Sequence, residues 1–143
     1  MWLTDDQQEL WRSYLDMSAR LQTALNRQLR SHGLSLADYD VLVAVSEQPG
    51  CRVNDLGERL GWEQSRLSHQ LQRMRGRGLV TRTDADDDRR AAAVELTEAG
   101  GRVLKAAAPG HAELVRTAVF GAMSPTQARA IRGWLSDVLS RIS

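Results

Sequence analysis

At 143 residues the chain suits one domain, or one core domain with extensions. Its 19 basic and 18 acidic residues leave a net charge of +1, which argues against indiscriminate binding to polyanions, and a single cysteine excludes an internal disulfide. No apolar run approaches the ~20 residues of a membrane span, and MWLTDDQQEL lacks the basic and then apolar pattern of a secretory leader, so a cytoplasmic location with no membrane partner is expected.

Thr4 with Gln7 has the form of a capping box, and Leu10, Trp11, Tyr14, Met17, Leu21, Leu25 and Leu29 then keep a helical period until Gly33. Ser35 with Asp38 opens a second helix through VLVAVSEQ. Pro49-Gly50 stops it before Cys51 to Val53, a candidate short strand. Asn54 is an N-cap type ahead of Leu56 and Leu60, and Gly61 ends that short helix at a tight turn.

The next helix, expected over 63–77, places Leu67, Leu71 and Met74 at i, i+4 and i+7 as one buried stripe. Ser65, Arg66, Ser68, His69, Gln72 and Arg73 are left around its other faces. Gly76 and Gly78 close it, and LVTRT, Leu79 to Thr83, has the β-branched content of a strand. The chain turns through Asp84 to Asp88, passes Arg89 and Arg90, and returns as AAAVEL, where Ala92, Val94 and Leu96 alternate with Ala91, Ala93 and Glu95. Thr97 caps a helix running to about Phe120, with a bend expected at Pro109-Gly110. Ser124, Pro125 and Gln127 form a second capping box with proline at the first helical position. It opens a last helix with Ile131, Trp134, Leu135, Val138 and Leu139 apolar.

Helix, turn, helix and hairpin in that order describe a mainly α (α+β) fold, a winged helix-turn-helix with a two- or three-stranded wing sheet flanked by further helices. The charge distribution agrees with a DNA reader. Arg59, Arg66, Arg73, Arg75, Arg77, Arg82, Arg89 and Arg90 cluster between the two short helices and the wing. Lys105 is the only lysine, which a GC-rich coding bias also explains, so arginine counts only where it clusters.

The helix pair with RGLV, then Asp88-Arg89-Arg90 and the run from Leu96 to Gly100 (LTEAG), resembles the MarR family of bacterial transcriptional regulators. The resemblance is strongest from Asn54 to Gly100. Trp62 departs from the family's pattern, being an aromatic where a small aliphatic residue is more usual. The resemblance implies one unit over 1–143, with 34–100 as the winged DNA-binding part and 1–33 and 101–143 as dimerisation helices. It also implies a homodimeric, ligand-responsive repressor of a pseudo-palindromic operator in double-stranded DNA. On that reading the helix over 63–77 enters the major groove through Ser65, Arg66, Ser68 and His69, and the wing over 84–90 enters the minor groove. There Arg90, with Arg89 beside it, meets strongly negative potential, and Asp88 orients the Arg90 guanidinium. Arg73 has two readings, a phosphate contact or a pair with Glu63 or a carboxylate of the preceding helix. Asp84, Asp86 and Asp87 are expected to face solvent and limit nonspecific affinity.

The resemblance further implies a small effector, often an aromatic acid or lipophilic compound, bound between the dimerisation helices and the winged part. Trp11, Tyr14 and Tyr39 are the candidate lining, against the plainer reading of aromatics at helical spacing as core. An enzyme is not expected. His32, His69 and His111 fall on separate elements without metal-ligand spacing, no phosphate-cradling glycine loop is present, and no metal or cofactor is implied. Two alternatives remain: a winged helix that docks a protein partner, and a redox sensor acting through Cys51. For Cys51 only Arg52 is near enough to lower a thiol pKa.

Overall fold

In the computed structural model residues 1–83 and 92–143 are described. The chain divides into two units, Met1–Gly110 and His111–Ser143.

The first unit opens with α1, Asp5–Arg30, whose N-terminus is closed by the expected reciprocal box: Thr4 accepts from the Gln7 amide, and the Thr4 N–H donates to the Gln7 side chain. Its apolar stripe is buried only at the C-terminal end, at Leu25 and Leu29, while Leu10, Trp11, Tyr14 and Met17 are exposed. Gly33, at φ 71°, turns the chain into α2, Leu36–Glu47, opened by the Ser35 and Asp38 box. Gly50 (φ 75°) then leads to β1, Cys51–Arg52.

The short helix α3 is Val53–Leu60 with Arg52 at its N-cap, so it begins two residues before the position expected from Asn54 as the cap. The physical reason is on Val53. Its side chain is buried and its N–H donates to the Ala92 carbonyl at 3.0 Å, so sheet pairing takes the place of a side-chain cap. Gly61 ends α3 in the left-handed region, as the turn required.

α4, Gln64–Gly76, buries Leu67, Leu71 and Met74, and also Gln70, which completes the same stripe at i+3. β2, Val80–Thr83, and β3, Ala93–Leu96, pair antiparallel from Val80 opposite Leu96 to Thr83 opposite Ala93. β1 adds to the free side of β3, with Cys51 opposite Val94, so the wing sheet has three strands in the order β1-β3-β2. Ala92 and Val94 face the core and Glu95 faces out, the alternation a half-buried strand requires.

α5, Glu98–Val115, runs without interruption through Pro109. The irregularity comes later, as a π-helical turn over Arg116–Phe120. Thr97 caps α5: its hydroxyl accepts from the Gly100 N–H at 2.9 Å and donates to the Gly78 carbonyl at 2.6 Å. A Cβ on Gly100 would lie 2.1 Å from the Leu79 carbonyl oxygen, so the helix start and the entry to β2 touch through backbone alone. One core unites these elements, with Leu29, Leu42, Leu56, Leu71, Val94 and Ala107 each contributed by a different one. Each fully buried leucine there is worth about 1.5–3 kcal/mol of transfer free energy.

The second unit holds the end of α5, the π-helical turn and α6, Pro125–Ile142. The Ser124 and Gln127 box opens α6, with Pro125 in its first turn. No residue of α6 is buried, and Ile131, Trp134, Leu135 and Leu139 are exposed. Among the described residues, no helix is long and apolar enough to cross a membrane.

Candidate nucleic-acid interface

The outer side of α4 is assembled by what its inner side buries. With Leu67, Gln70, Leu71 and Met74 turned to the core, Ser65, Arg66, His69, Gln72 and Arg73 are left exposed and Ser68 half-buried. The sequence QSRLSHQLQRMRG holds three arginines and no carboxylate. Its local field is therefore positive although the chain is nearly neutral.

α4 is seated against α3 and α2 by specific contacts. At the turn, the Trp62 N–H donates to the Gly57 carbonyl at 3.0 Å, and a Cβ on Gly57 would meet the Gln64 amide at 2.4 Å. That amide ends a flexible side chain, so a Cβ at 57 would displace it rather than part the two helices. Further along, Asp38 Oδ1 accepts from Gln70 Nε2 at 2.6 Å, and Asp38 Oδ2 accepts from Arg77 Nη1 at 2.8 Å. Asp38 Oδ2 also accepts from the Ser35 N–H at 2.9 Å, and Arg77 donates to the Gly33 carbonyl as well. Burial, the largest single influence on Asp38, raises its carboxyl. The hydrogen bonds from Arg77, Ser35 and Gln70 and the charge of Arg77 together outweigh it and hold the pKa below the usual carboxylate value.

Arg73 Nη2 donates to Gln70 Oε1 at 2.9 Å. Among the described residues it therefore pairs with neither Glu63 nor a carboxylate of α3, and a chain of bonds runs from Arg73 through Gln70 to Asp38. Arg66 lies over the Trp62 ring, its guanidinium carbon 4.0 Å from the centroid. Within the basic cluster Arg77 is ion-paired with Asp38, and Arg59 of α3 with Glu47 of α2. The cationic side of α4 thus consists of Arg66, Arg73 and Arg75.

Several expected site residues lie elsewhere. Asp88, Arg89 and Arg90, and with them the wing over 84–90, lie outside the described residues. Trp11 and Tyr14 stack on each other, centroids 5.4 Å apart, on the exposed part of α1, whereas Tyr39 is buried in the core with Leu29. Fifteen residues of helix separate Tyr14 from Leu29, ~22 Å along the axis. Burial, and after it the charge of Asp40, raises the Tyr39 hydroxyl pKa.

Cys51 is half-buried against the core. Burial pushes its thiol pKa up, a backbone hydrogen bond opposes this, and Asp55 adds to the rise, so the reactive thiolate is disfavoured. Among the described residues, no three His, Cys, Asp or Glu side chains gather as a metal site.

Sequence reasoning passed over Gln70, and it read Asp38 only as a capping residue and Arg77 only as part of the basic cluster. A signal for Gln70 existed: positions 67, 70, 71 and 74 complete a helix stripe, and a polar side chain in a buried stripe requires a partner.

A short helix, a left-handed glycine turn, a basic helix seated by its apolar side and an antiparallel sheet behind it define a winged helix-turn-helix protein. A profile of the MarR family matches residues 32–91. The chain is 35% identical to Sco3205, a MarR family transcriptional regulator from Streptomyces coelicolor solved in complex with DNA, at a TM-score of 0.92, covering 100% of this chain and 92% of that one. It is 33% identical to AbsC, a MarR family regulator of the same organism, at a TM-score of 0.91 over 99% of this chain and 97% of that one. CouR from Rhodococcus jostii RHA1, solved bound to p-coumaroyl-CoA, is 26% identical with a TM-score of 0.77, over 94% and 92% of the two chains. The chain belongs to the MarR family and is a transcriptional regulator.

Proposed function

We propose that the protein is a homodimeric, ligand-responsive repressor that binds a pseudo-palindromic operator, with α4 in the major groove. The carrying observation is the outer side of α4, where Ser65, Arg66, His69, Gln72 and Arg73 are exposed on a helix that contains no carboxylate. Ser65, Arg66, Ser68 and His69 occupy its first turns, the part of a recognition helix that reaches base edges, and Arg73 one turn later suits a phosphate. The complex of Sco3205 with DNA supports the reading. Arg90 in the minor groove, Arg89 beside it and Asp88 as its orienting carboxylate complete the proposal on the strength of the DxRR motif.

Exposed apolar rows on α1 and α6 favour a second copy as partner, since rows of that kind mark interaction surfaces. For the effector, the exposed stacked pair Trp11 and Tyr14 offers aromatic faces, and CouR's ligand carries an aromatic acyl group. Tyr39, buried in the core, is the third candidate. The protein acts by binding, without catalysis, in the cytoplasm where its DNA lies.

Titration of duplex fragments with the full chain at several salt concentrations tests this. Affinity falls steeply with salt as phosphate contacts release counterions, and Arg73→Ala lowers the slope by about 1. Retention of duplex that ignores salt would point instead to a winged helix that docks protein.

A further inference from the structure

Trp62 occupies the turn between Gly61 and α4, and its indole is anchored. The main-chain N–H is bonded to Gly57, and the ring is half-buried against the core. Over this fixed ring lies the guanidinium of Arg66, the third residue of α4. Arg66 is otherwise exposed, and among the described residues no carboxylate pairs with it.

A solvated arginine on a helix swings among many rotamers and loses that freedom when it binds. An aromatic ring 4.0 Å from the guanidinium carbon selects the rotamers that cover one face of the ion. The N–H donors lie in the guanidinium plane, so a covered face leaves the edge free, and that edge is what matches O6 and N7 of guanine. A phosphate gains little from such fixing, because its oxygens accept from many directions. A base edge accepts from one. The third residue of a recognition helix also lies at the end that enters the groove.

We propose that Trp62 is a positioning residue which holds Arg66 ready for a guanine in the major groove, so that the two together determine one base pair of each half-site. The inference rests on α4 being the recognition helix.

The test is selection from a pool of random-sequence duplexes with the wild-type chain and with Trp62→Leu, Trp62→Phe, Arg66→Lys and Arg66→Ala, followed by titration of the duplex the wild type selects. Wild type should show one strongly preferred G·C pair per half-site that both Arg66 variants lose. Trp62→Leu should lose the same preference and bind the selected duplex about two- to fivefold more weakly, the size of an exposed cation–π contact. Trp62→Phe should keep it, and random duplex should bind Trp62→Leu as it binds wild type, which a general loss of structure would not give.

If Arg66→Ala selects the same bases as wild type, Arg66 does not read DNA, and the reading of α4 on which the inference rests is what fails. If Arg66→Ala loses the preference while a folded Trp62→Leu keeps it, the positioning role alone is overturned. Since Trp62 also packs on the core, a second measurement uses the unaltered protein. The Arg66 side-chain protons should be shifted upfield by the indole ring current in the free protein, and random-coil shifts there would overturn the inference without any variant.

Discussion

Asp38 Oδ1 accepts a 2.6 Å hydrogen bond from Gln70 Nε2, tying the first turn of α2 to the buried side of α4 across 32 residues of sequence. The same carboxylate caps α2 and receives Arg77 from the end of α4. A carboxylate with this many donors has little freedom to move, so the seat of α4 is fixed from α2. Through Gln70 the same chain of bonds reaches Arg73 on the outer side.

The lowered pKa of Asp38 gives this network a pH dependence whose sign follows by linkage. A carboxyl that binds its proton less tightly in the folded state than in the unfolded one stabilises the fold above the unfolded value, about 3.9. That contribution is lost as the pH falls through the lower folded value. Asp38→Asn should therefore cost about 1–3 kcal/mol at pH 7, at the lower end because the Arg77 side chain is 44% exposed and screened by water. In urea unfolding the gap between variant and wild type should begin to narrow below about pH 4 and close below the lower folded value. A gap that stays constant to pH 2 would mean that the carboxylate charge is not what stabilises the seat.

Gly100 and Gly101 are adjacent in α5 and should respond oppositely to alanine. The Gly100 Cβ would meet the Leu79 carbonyl oxygen at 2.1 Å, and that carbonyl also accepts the Thr97 N–H, so backbone must shift on both sides. Gly100→Ala should lose about 1–3 kcal/mol, as overpacking does. At Gly101 nothing lies within 4 Å, and alanine should gain up to ~1 kcal/mol from helix propensity. Thermal unfolding of the two variants checks the contrast, and equal midpoints would show that the helix start is not wedged against β2.

What the sequence revealed and what it hid divide by range. The Thr4, Ser35 and Ser124 capping boxes, the Gly61 turn and the alternation at Val94 each depend on residues within a few positions, and each formed as expected. The start of α3 was displaced because Val53 bonds to Ala92, 39 residues away, a partner that local cap preferences do not register. Gln70 was overlooked for a related reason: its partner Asp38 looks, in the sequence, only like a capping residue. Trp62 was legible as an oddity, but its use became clear only with Arg66 lying over it. The π-helical turn after Val115 has no sequence signal that we can identify, while the proline expected to bend α5 leaves it helical.

Arg90 stands on the sequence motif, and its prediction is independent of the α4 network. Arg90→Ala should lose about 1–3 kcal/mol on the operator that wild type selects, the range for one good base contact. Asp86→Asn with Asp87→Asn should raise affinity for random duplex. Equilibrium titration of both duplexes measures the two effects, and unchanged operator affinity in Arg90→Ala would remove the wing arginine from the reading.

Cys51 bears on the redox alternative. Its thiol pKa is raised, chiefly by burial, so thiolate is scarce at neutral pH and oxidation slow. The native protein should react with iodoacetamide at pH 7 well below the rate of free cysteine, and Cys51→Ser should bind duplex normally. Labelling as fast as free cysteine, or duplex binding abolished by peroxide in wild type but not in Cys51→Ser, would restore the sensor.

α6 is where the proposed second copy should be detectable. Ile131, Trp134, Leu135 and Leu139 recur at helical spacing and are 40%, 53%, 46% and 59% exposed, so an 18-residue helix has an apolar row that the single chain leaves in water. An isolated helix of this length is marginal, and tertiary packing of its apolar row is what normally stabilises it. Pairing with a second chain would supply that packing. Leu135→Arg places a charge in the row and should shift the protein from dimer to monomer in sedimentation at micromolar concentration. Operator affinity should fall by at least tenfold at the same time, because two half-sites are then engaged by unlinked reading heads. The Trp62 and Arg66 pair is untouched by this variant, so base preference within a half-site should survive the loss of affinity. A wild-type chain that sediments as a monomer while binding the full operator tightly would show that α6 serves another partner.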